Sequence, residues 1–378
     1  MNYNQEAIKL HKKWRGKIEI AVKAPLRSKA DLARVYTPGV GAVSMAISKD
    51  KEKSWELTGR PNTVAIVTDG SAVLGLGNIG PEAAAPVMEG KAAIFKKFAG
   101  VDAVPLCINT HSEEEIIKFV KMIEPQFGGI NLEDIAAPAC FTVLERLEKE
   151  LSIPVFHDDQ DGTAIVVLAA LINACRVTGK ILPKLKVVVN GAGAAGMAIV
   201  RLLLAQGVKD IILLDSRGTI YGGRDNLNPY KKKIARLTNK KKIKGGLKDV
   251  LLGADVFIGV SKGNIVTPEM IKLMASEPII FALANPVPEI MPDKALTAGA
   301  AVVGTGRSDF PNQINNALVF PGLFRGLLDG RIRAVTTKIK TKVALAIAYS
   351  LKPSKNKILP PLTDRRIVKV IARAVKHG

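Results

Sequence analysis

The sequence predicts an α/β protein of two lobes, the second built on a doubly wound parallel sheet. Three observations carry that expectation. Short apolar runs alternate with helix-like segments at the spacing of βα units. One of those runs leads straight into a glycine triplet that opens a helix. At 378 residues the chain is also long enough for two full cores.

In the first half, strands are expected over Thr63–Thr68, Val101–Leu106, Ile130–Leu132 and Pro154–His157, and helices over Ala85–Phe98, Glu113–Ile123 and Phe141–Leu151. In the second half, the buried-strand run Lys186-Val187-Val188-Val189-Asn190 precedes Gly191-Ala192-Gly193-Ala194-Ala195-Gly196. The helix that follows, Met197 to Gln206, should stop at Gly207, a natural C-terminal cap. Further strands are expected over Asp210–Leu214, Asp255–Val260, Ile279–Ala284 and Ala301–Val303. Most of these runs are close to unbroken apolar, which implies a parallel sheet covered on both faces. The expected lobes are residues 1–158 and 159–378, with a helical tail from Arg331 broken near Pro353 and again at Pro360-Pro361.

Composition excludes several classes. Hydrophobic content of 47% with 24% charged residues describes a soluble globular chain. Thr163 to Cys175 is too short an apolar stretch to span a bilayer and reads as a buried helix, so no membrane association is expected. No signal peptide is visible in Met1-Asn2-Tyr3-Asn4-Gln5-Glu6. Cys107, Cys140 and Cys175 form no Cys-x-x-Cys pair, which suits a reducing cytoplasm. The net charge of +21 raises the question of nucleic acid, and the densest basic stretch runs from Lys231-Lys232-Lys233 to Lys244. Stacking rings are scarce, with aromatics at 5%, and no nucleic-acid-binding motif accompanies the lysines. A solvated lysine face is the expectation there, with a positive field that attracts small di-anions.

Two carboxylate clusters follow strand-like runs: Glu133 and Asp134 after Leu132, and Asp158 and Asp159 after His157. Acids held close repel one another unless a cation neutralises them. Oxygen-only ligands favour Mg²⁺ or Mn²⁺ over Zn²⁺. Two separate solvated loops would give the same local pattern. His157 beside the acids reads as a hydrogen-bonded structural histidine rather than a ligand.

The Gly191/Gly193/Gly196 triplet has the context of a dinucleotide site, with a strand before it and a helix after it. The glycines allow a tight turn, close approach of the pyrophosphate and close helix packing, and the helix N-terminus favours phosphate. Asp215 ends the next strand, where an acid meets the ribose hydroxyls. An acid there favours NAD, whereas Arg217 or Arg224 could receive the extra phosphate of NADP, so both nucleotides stay open. A glycine turn in a non-nucleotide α/β domain is the plainer alternative. Gly90-Lys91 is not a phosphate loop, because Ala85 and Ala92 stand where a glycine and a hydroxyl residue belong.

Several motifs in a fixed order resemble the malic enzymes, in particular the short prokaryotic form without a trailing phosphotransacetylase-like domain. They are Tyr36-Thr37-Pro38-Gly39-Val40, Leu74 to Pro81, Val87-Met88-Glu89-Gly90-Lys91, Gly129 to Ile135, His157-Asp158-Asp159-Gln160 with Gly162-Thr163-Ala164, and the Gly191 triplet. The resemblance runs from about Tyr36 to Gly322. It implies an N-terminal malic-enzyme-type α/β domain joined to a Rossmann-type domain. The implied reaction is oxidative decarboxylation of malate to pyruvate and CO₂ with NAD or NADP, dependent on Mg²⁺ or Mn²⁺. The enzyme alternative is a lyase that only decarboxylates oxaloacetate.

The same resemblance implies roles. Glu133, Asp134 and Asp159 would hold the metal. Lys91 would take the C2 hydroxyl proton, with Asp158 tuning it by charge. Tyr36 would protonate C3 after CO₂ leaves. Asn285 and Asn315 would bind substrate, with Asn316 a further candidate. A homodimer or larger assembly is implied, with active sites shared between subunits if the Tyr36 loop lies at the contact. Three departures stand out. Asp161 replaces a frequent His and adds a negative charge beside the cluster, Gly41-Ala42 replaces a frequent Ala-Glu, and Ser71 replaces the substrate-clamping arginine of long-form relatives.

Overall fold

The computed structural model describes residues 3–73 and 75–377. Leu74, the first residue of the Leu74–Pro81 motif, lies outside them, as do Met1, Asn2 and Gly378. The strands, in chain order, are β1 (Thr63–Thr68), β2 (Asp102–Cys107), β3 (Gly129–Leu132), β4 (Val155–His157), β5 (Lys186–Asn190), β6 (Asp210–Asp215), β7 (Gly218–Thr219), β8 (Val256–Gly259), β9 (Ile279–Ala282) and β10 (Val302–Thr305). The first four form one parallel sheet in the order β2-β1-β3-β4. The others form a second sheet, β10-β9-β8-β5-β6-β7, parallel except for β7.

The unbroken apolar runs explain the parallel pairing. Val64 to Val67 of β1 and all of β8 and β9 are buried, as strands covered by helices on both faces must be. In the second sheet the strand order reverses at β5, whose neighbours are β6 on one side and β8 on the other. Ligands of such sheets bind at that reversal, beyond the strand ends. The glycine triplet follows β5 there. A Cβ built on Gly196 would lie 1.7 Å from the Gly191 carbonyl oxygen, so only glycine lets the turn close.

The expected helix Glu113–Ile123 forms with those bounds. Ser112 caps its first turn by accepting from Glu115 N–H at 3.4 Å, and three glutamates there complement the helix dipole. The helix over Pro81–Ala99 starts earlier than expected because Pro81 follows Gly80 and fits a first turn, and it ends at left-handed Gly100. The apolar helix Thr163–Thr178 is longer than its sequence signal. A π-helical turn, Asp158–Gly162, runs into it, giving a 21-residue stretch with the length and apolarity of a membrane span. Every residue from Ala164 to Cys175 is buried, so it serves as a core helix packed between the helices Ala194–Ala205 and Thr337–Ala348.

The last helices return to the first lobe. Phe320 and Phe324, on the helix Phe320–Gly330, pack against Phe95 of the helix Pro81–Ala99 at 4.7 and 5.4 Å between ring centres, the first tilted and the second edge-on. Phe324 also meets Phe156 of β4 edge-on at 5.9 Å. Truncating Phe324 to alanine would cost about 3–5 kcal/mol. This aromatic knot fixes β4, and hence the acids after it, relative to the lysine helix. By contrast, the helices Tyr3–Trp14, Lys29–Val35 and Val40–Lys49 contain no buried residue.

Candidate active site

The two acid clusters converge because β3 and β4 are paired neighbours, with Leu132 opposite His157. Consecutive residues of a strand point to opposite faces, so Glu133 and Asp134 would diverge if β3 simply continued. Instead Asp134 adopts a left-handed φ of 53°, held by its N–H on Asp159 Oδ2 at 2.8 Å and by its carbonyl accepting from Ala72 N–H at 2.9 Å. Glu133, Asp134 and Asp159 then each present a carboxylate oxygen within 4.8 Å of the others. This is an all-oxygen donor set of the kind that suits a hard divalent cation. The π-turn places Asp158 one step further in, and a Cβ on Gly162 would lie 1.9 Å from Asp158 Oδ1. Gly162 is therefore what lets that carboxylate fold over the turn.

Lys91 enters from the middle of the helix Pro81–Ala99 and is buried. Its ammonium donates to Glu133 Oε2 at 2.5 Å and to Asp158 Oδ2, and it sits 4.3 Å from the centre of the Phe320 ring. Asn131 Nδ2 also donates to Glu133 Oε2, at 3.0 Å. Burial pushes the carboxyl groups up, Glu133 and Asp158 to about 7 and Asp159 to about 6, against the pull of the lysine. Burial alone would lower Lys91, but Asp158 and Glu133 outweigh it and hold its proton more tightly. One ammonium thus faces four carboxylates, and the surplus negative charge is what a cation would neutralise.

The second lobe closes over this cluster. Gly75, in the loop after β1, lies against Asn285, and a Cβ there would come within 2.3 Å of the Asn285 carbonyl. Asn315 caps the turn Asn316–Leu318 by accepting from Ala317 N–H at 2.8 Å, while the Asn316 Cβ lies near Gly162. At the glycine loop, Asp215 ends β6 one strand away from β5.

Other sequence expectations turn out differently. His157 is buried, but among the described residues neither ring nitrogen has a hydrogen-bond partner, and Nδ1 is 3.6 Å from Asp159 Oδ2. It is a packed neutral ring, lowered by burial to about 4, rather than a hydrogen-bonded one. Asp161 adds its charge beside the cluster and helps to push the Asp158 carboxyl up, and it is paired with Lys340 Nζ at 2.6 Å. Ser71 donates to Asp69 Oδ1 at 2.6 Å and accepts from Ala136 N–H at 2.8 Å, which fixes the loop after β1. Tyr36 is 67% exposed, and among the described residues its hydroxyl has no hydrogen-bond partner.

The contacts of Phe320, Asn131 and Lys340 with the site have no counterpart in the local sequence patterns. Only Asn131 carried a usable signal, as a buried polar residue between apolar neighbours just before the acids.

These features match known proteins. Residues 15–115 and 110–148 fit the family model of the malic enzyme N-terminal domain, and residues 160–377 fit the malic enzyme NAD binding domain. The chain belongs to the malic enzyme family. It is 53% identical to the bifunctional malic/malolactic enzyme of Bacillus subtilis, across 99% of this chain and 92% of that protein. It is 47% identical to a probable NADP-dependent malic enzyme of Rickettsia prowazekii, across 97% of this chain and 48% of that protein. The crystal structure of the NAD-dependent malic enzyme of Thermotoga maritima superposes with a TM-score of 0.95 at 51% identity, covering 98% of both chains.

Proposed function

We propose that this chain oxidatively decarboxylates malate to pyruvate and CO₂, reducing NAD or NADP, with a divalent cation at Glu133, Asp134 and Asp159. The observation that carries this reading is the contact of Lys91 with Glu133 and Asp158 beside those three converging oxygens. When bound, Mg²⁺ or Mn²⁺ would supply Lewis acidity for the C2 oxygen and for the enolate left by decarboxylation, and the nucleotide would supply the hydride acceptor. Lys91 takes the proton from the C2 hydroxyl as the C2 hydrogen leaves as hydride. Lys91 must first release to solvent the proton that Glu133 and Asp158 hold on it, and a cation neutralising Glu133 would weaken that hold and favour the free amine. Asp158 keeps the amine aimed. Asn285 and Asn315, at the second lobe's face of the crevice, orient the substrate.

Protonation of C3 falls to Tyr36, and a second copy of the chain delivers it. The segment that carries Tyr36 exposes Ile8, Trp14, Ile20, Val22, Leu32 and Met45 by 52–99% of their surface. Apolar side chains so placed suit burial against a second chain. A two-fold partner bringing its Tyr36 opposite Lys91 would complete the site.

The oxaloacetate lyase alternative gains nothing from a β5-glycine-helix site of this form. The test is near-ultraviolet absorbance with malate, Mn²⁺ and each nucleotide in turn. Growth of the reduced-nicotinamide band is expected. Release of CO₂ from oxaloacetate with no such band on either nucleotide would leave the lyase.

A further inference from the structure

The π-turn that carries Asp158 and Asp159 is braced from behind by residues outside the proposed chemistry. Gln160, the next residue of that turn, is buried, and both ends of its amide are engaged. Nε2 donates to the Cys140 carbonyl at 3.2 Å, and Oε1 accepts from Arg201 Nη2 at 3.1 Å. Cys140 lies in the first turn of the helix Ala139–Glu150, into which the loop from Asp134 leads. The Arg201 guanidinium also lies 5.7 Å from the centre of the ring of Phe141, the next residue of that helix. One arginine therefore meets both segments that follow the proposed metal ligands. Removing it would leave the buried Gln160 oxygen without its donor, which ties the geometry of the turn to Arg201.

Arg201 belongs to the second lobe. It sits two turns into the helix Ala194–Ala205, about 10 Å along the axis from the end opened by the glycine loop. That helix packs directly on the π-turn. Its other end is fixed to the tail helix Thr337–Ala348, where Gln206 Nε2 donates to Thr341 Oγ1 at 2.8 Å. A pyrophosphate seated at the glycine end would order the loop and the turns beside it. Ordering one site lowers the cost of ordering another that shares the same element. Here the shared element runs from the glycines through Arg201 and Gln160 to Asp159. Lys340 holds the neighbouring Asp161 at 2.6 Å from the tail helix, so it braces the turn without belonging to the glycine-loop helix.

We propose that Arg201, acting through Gln160, couples the two sites, so that a nucleotide on the Gly191 loop tightens the divalent cation at Glu133, Asp134 and Asp159. The cation tightens the nucleotide by the same factor, because such coupling is reciprocal. The inference rests on the metal and nucleotide sites proposed above. Arg201 is a positioning residue, since it reaches the metal turn only through Gln160. It is itself exposed, so its replacement leaves the core intact.

The test is Mn²⁺ titration of the full chain without malate, with and without saturating ADP-ribose, for wild type, Arg201→Met, Arg201→Lys and Lys340→Met. ADP-ribose fills the glycine loop but has no nicotinamide ring to reach the metal, so any coupling passes through the protein. In wild type, ADP-ribose should tighten Mn²⁺ about fivefold, and saturating Mn²⁺ should tighten ADP-ribose equally. Arg201→Met should reduce that factor to about 1.5 or less, while each ligand alone binds within about threefold of wild type. Arg201→Lys, which keeps a donor for Gln160, should retain part of the coupling. Lys340→Met should weaken Mn²⁺ with and without ADP-ribose alike and leave the coupling factor as in wild type. An unchanged factor in Arg201→Met, or its equal loss in Lys340→Met, would overturn the role of Arg201. A wild type that binds both ligands independently would overturn the coupling while leaving both sites standing. A wild type that binds no Mn²⁺ or no ADP-ribose would overturn the proposed site concerned, and this inference with it.

Discussion

The base and the acid of the proposed reaction live in regions of opposite character. Lys91 and its acids sit at the meeting of the helix Pro81–Ala99, β3, β4 and the π-turn, every one of them packed into the core. Tyr36 sits on an arm whose three helices bury nothing. The difference teaches where each half of the chemistry is stabilised. The metal-and-lysine half is pre-organised by the fold of one chain, and its cost is met by the surrounding core. In the proposed reaction the proton-donor half would acquire its geometry by association with a second chain. The arm is anchored to the lysine helix, since Lys17 N–H donates to Glu89 Oε2 at 3.1 Å, two residues from Lys91. Further along, Lys23 Nζ meets Asp102 Oδ2 of β2 at 3.5 Å.

The largest expected effect falls on the buried half. Lys91→Ala should reduce malate oxidation by roughly a thousandfold while Mn²⁺ still binds. Near-normal oxidation would remove the lysine from the mechanism. Because the change strands two buried carboxylates, the variant should also melt lower than wild type without metal and recover with it. Tyr36→Phe comes next, at about a hundredfold in overall turnover, with the reduction of added oxaloacetate comparatively spared. Equal loss of both would contradict a role confined to protonating C3.

Asp159→Asn should weaken Mn²⁺ roughly tenfold to a hundredfold by titration, and unchanged affinity would move the metal elsewhere. In wild type that affinity should fall as pH drops through about 7 and about 6, where Glu133 and Asp159 take up protons and stop ligating. The stability sign is the reverse. Carboxyl groups raised by folding contribute their full stability below the ordinary value and lose it as pH rises through about 7. Metal-free protein should therefore be less stable at pH 7 than at pH 5 as far as these groups are concerned. The smallest effect belongs to Lys340, which braces the π-turn through Asp161. Lys340→Met should cost a few-fold in Mn²⁺ affinity, with Lys340→Arg restoring it.

Legibility in the sequence followed the range of the physics involved. β1 was legible because four of its six residues are buried and apolar, and Glu113–Ile123 because a serine cap and three glutamates announce it. The acids were legible as clusters because each pair is adjacent in sequence and directly follows a strand-like apolar run. Their number also signalled a cation without any knowledge of Lys91. What escaped depends on partners distant in the chain. Lys340 reaches Asp161 across 179 positions, and Lys231 reaches Asp215 from a run that looked like solvated surface. The absence of hydrogen bonds around His157 is likewise a property of packing, which no pattern of neighbours reports.

The central claim, that each active site draws its base from one chain and its acid from another, is tested most directly by mixing. Tyr36→Phe and Lys91→Ala subunits are each nearly inactive alone. Combined after reversible dissociation, half of the dimers are hybrids, and each hybrid holds one intact pair of Lys91 and Tyr36 if the residues come from different chains. The account predicts recovery to about a quarter of wild-type turnover. No recovery, with hybrid formation verified by native mass spectrometry, would place both residues in the same chain's site and contradict it.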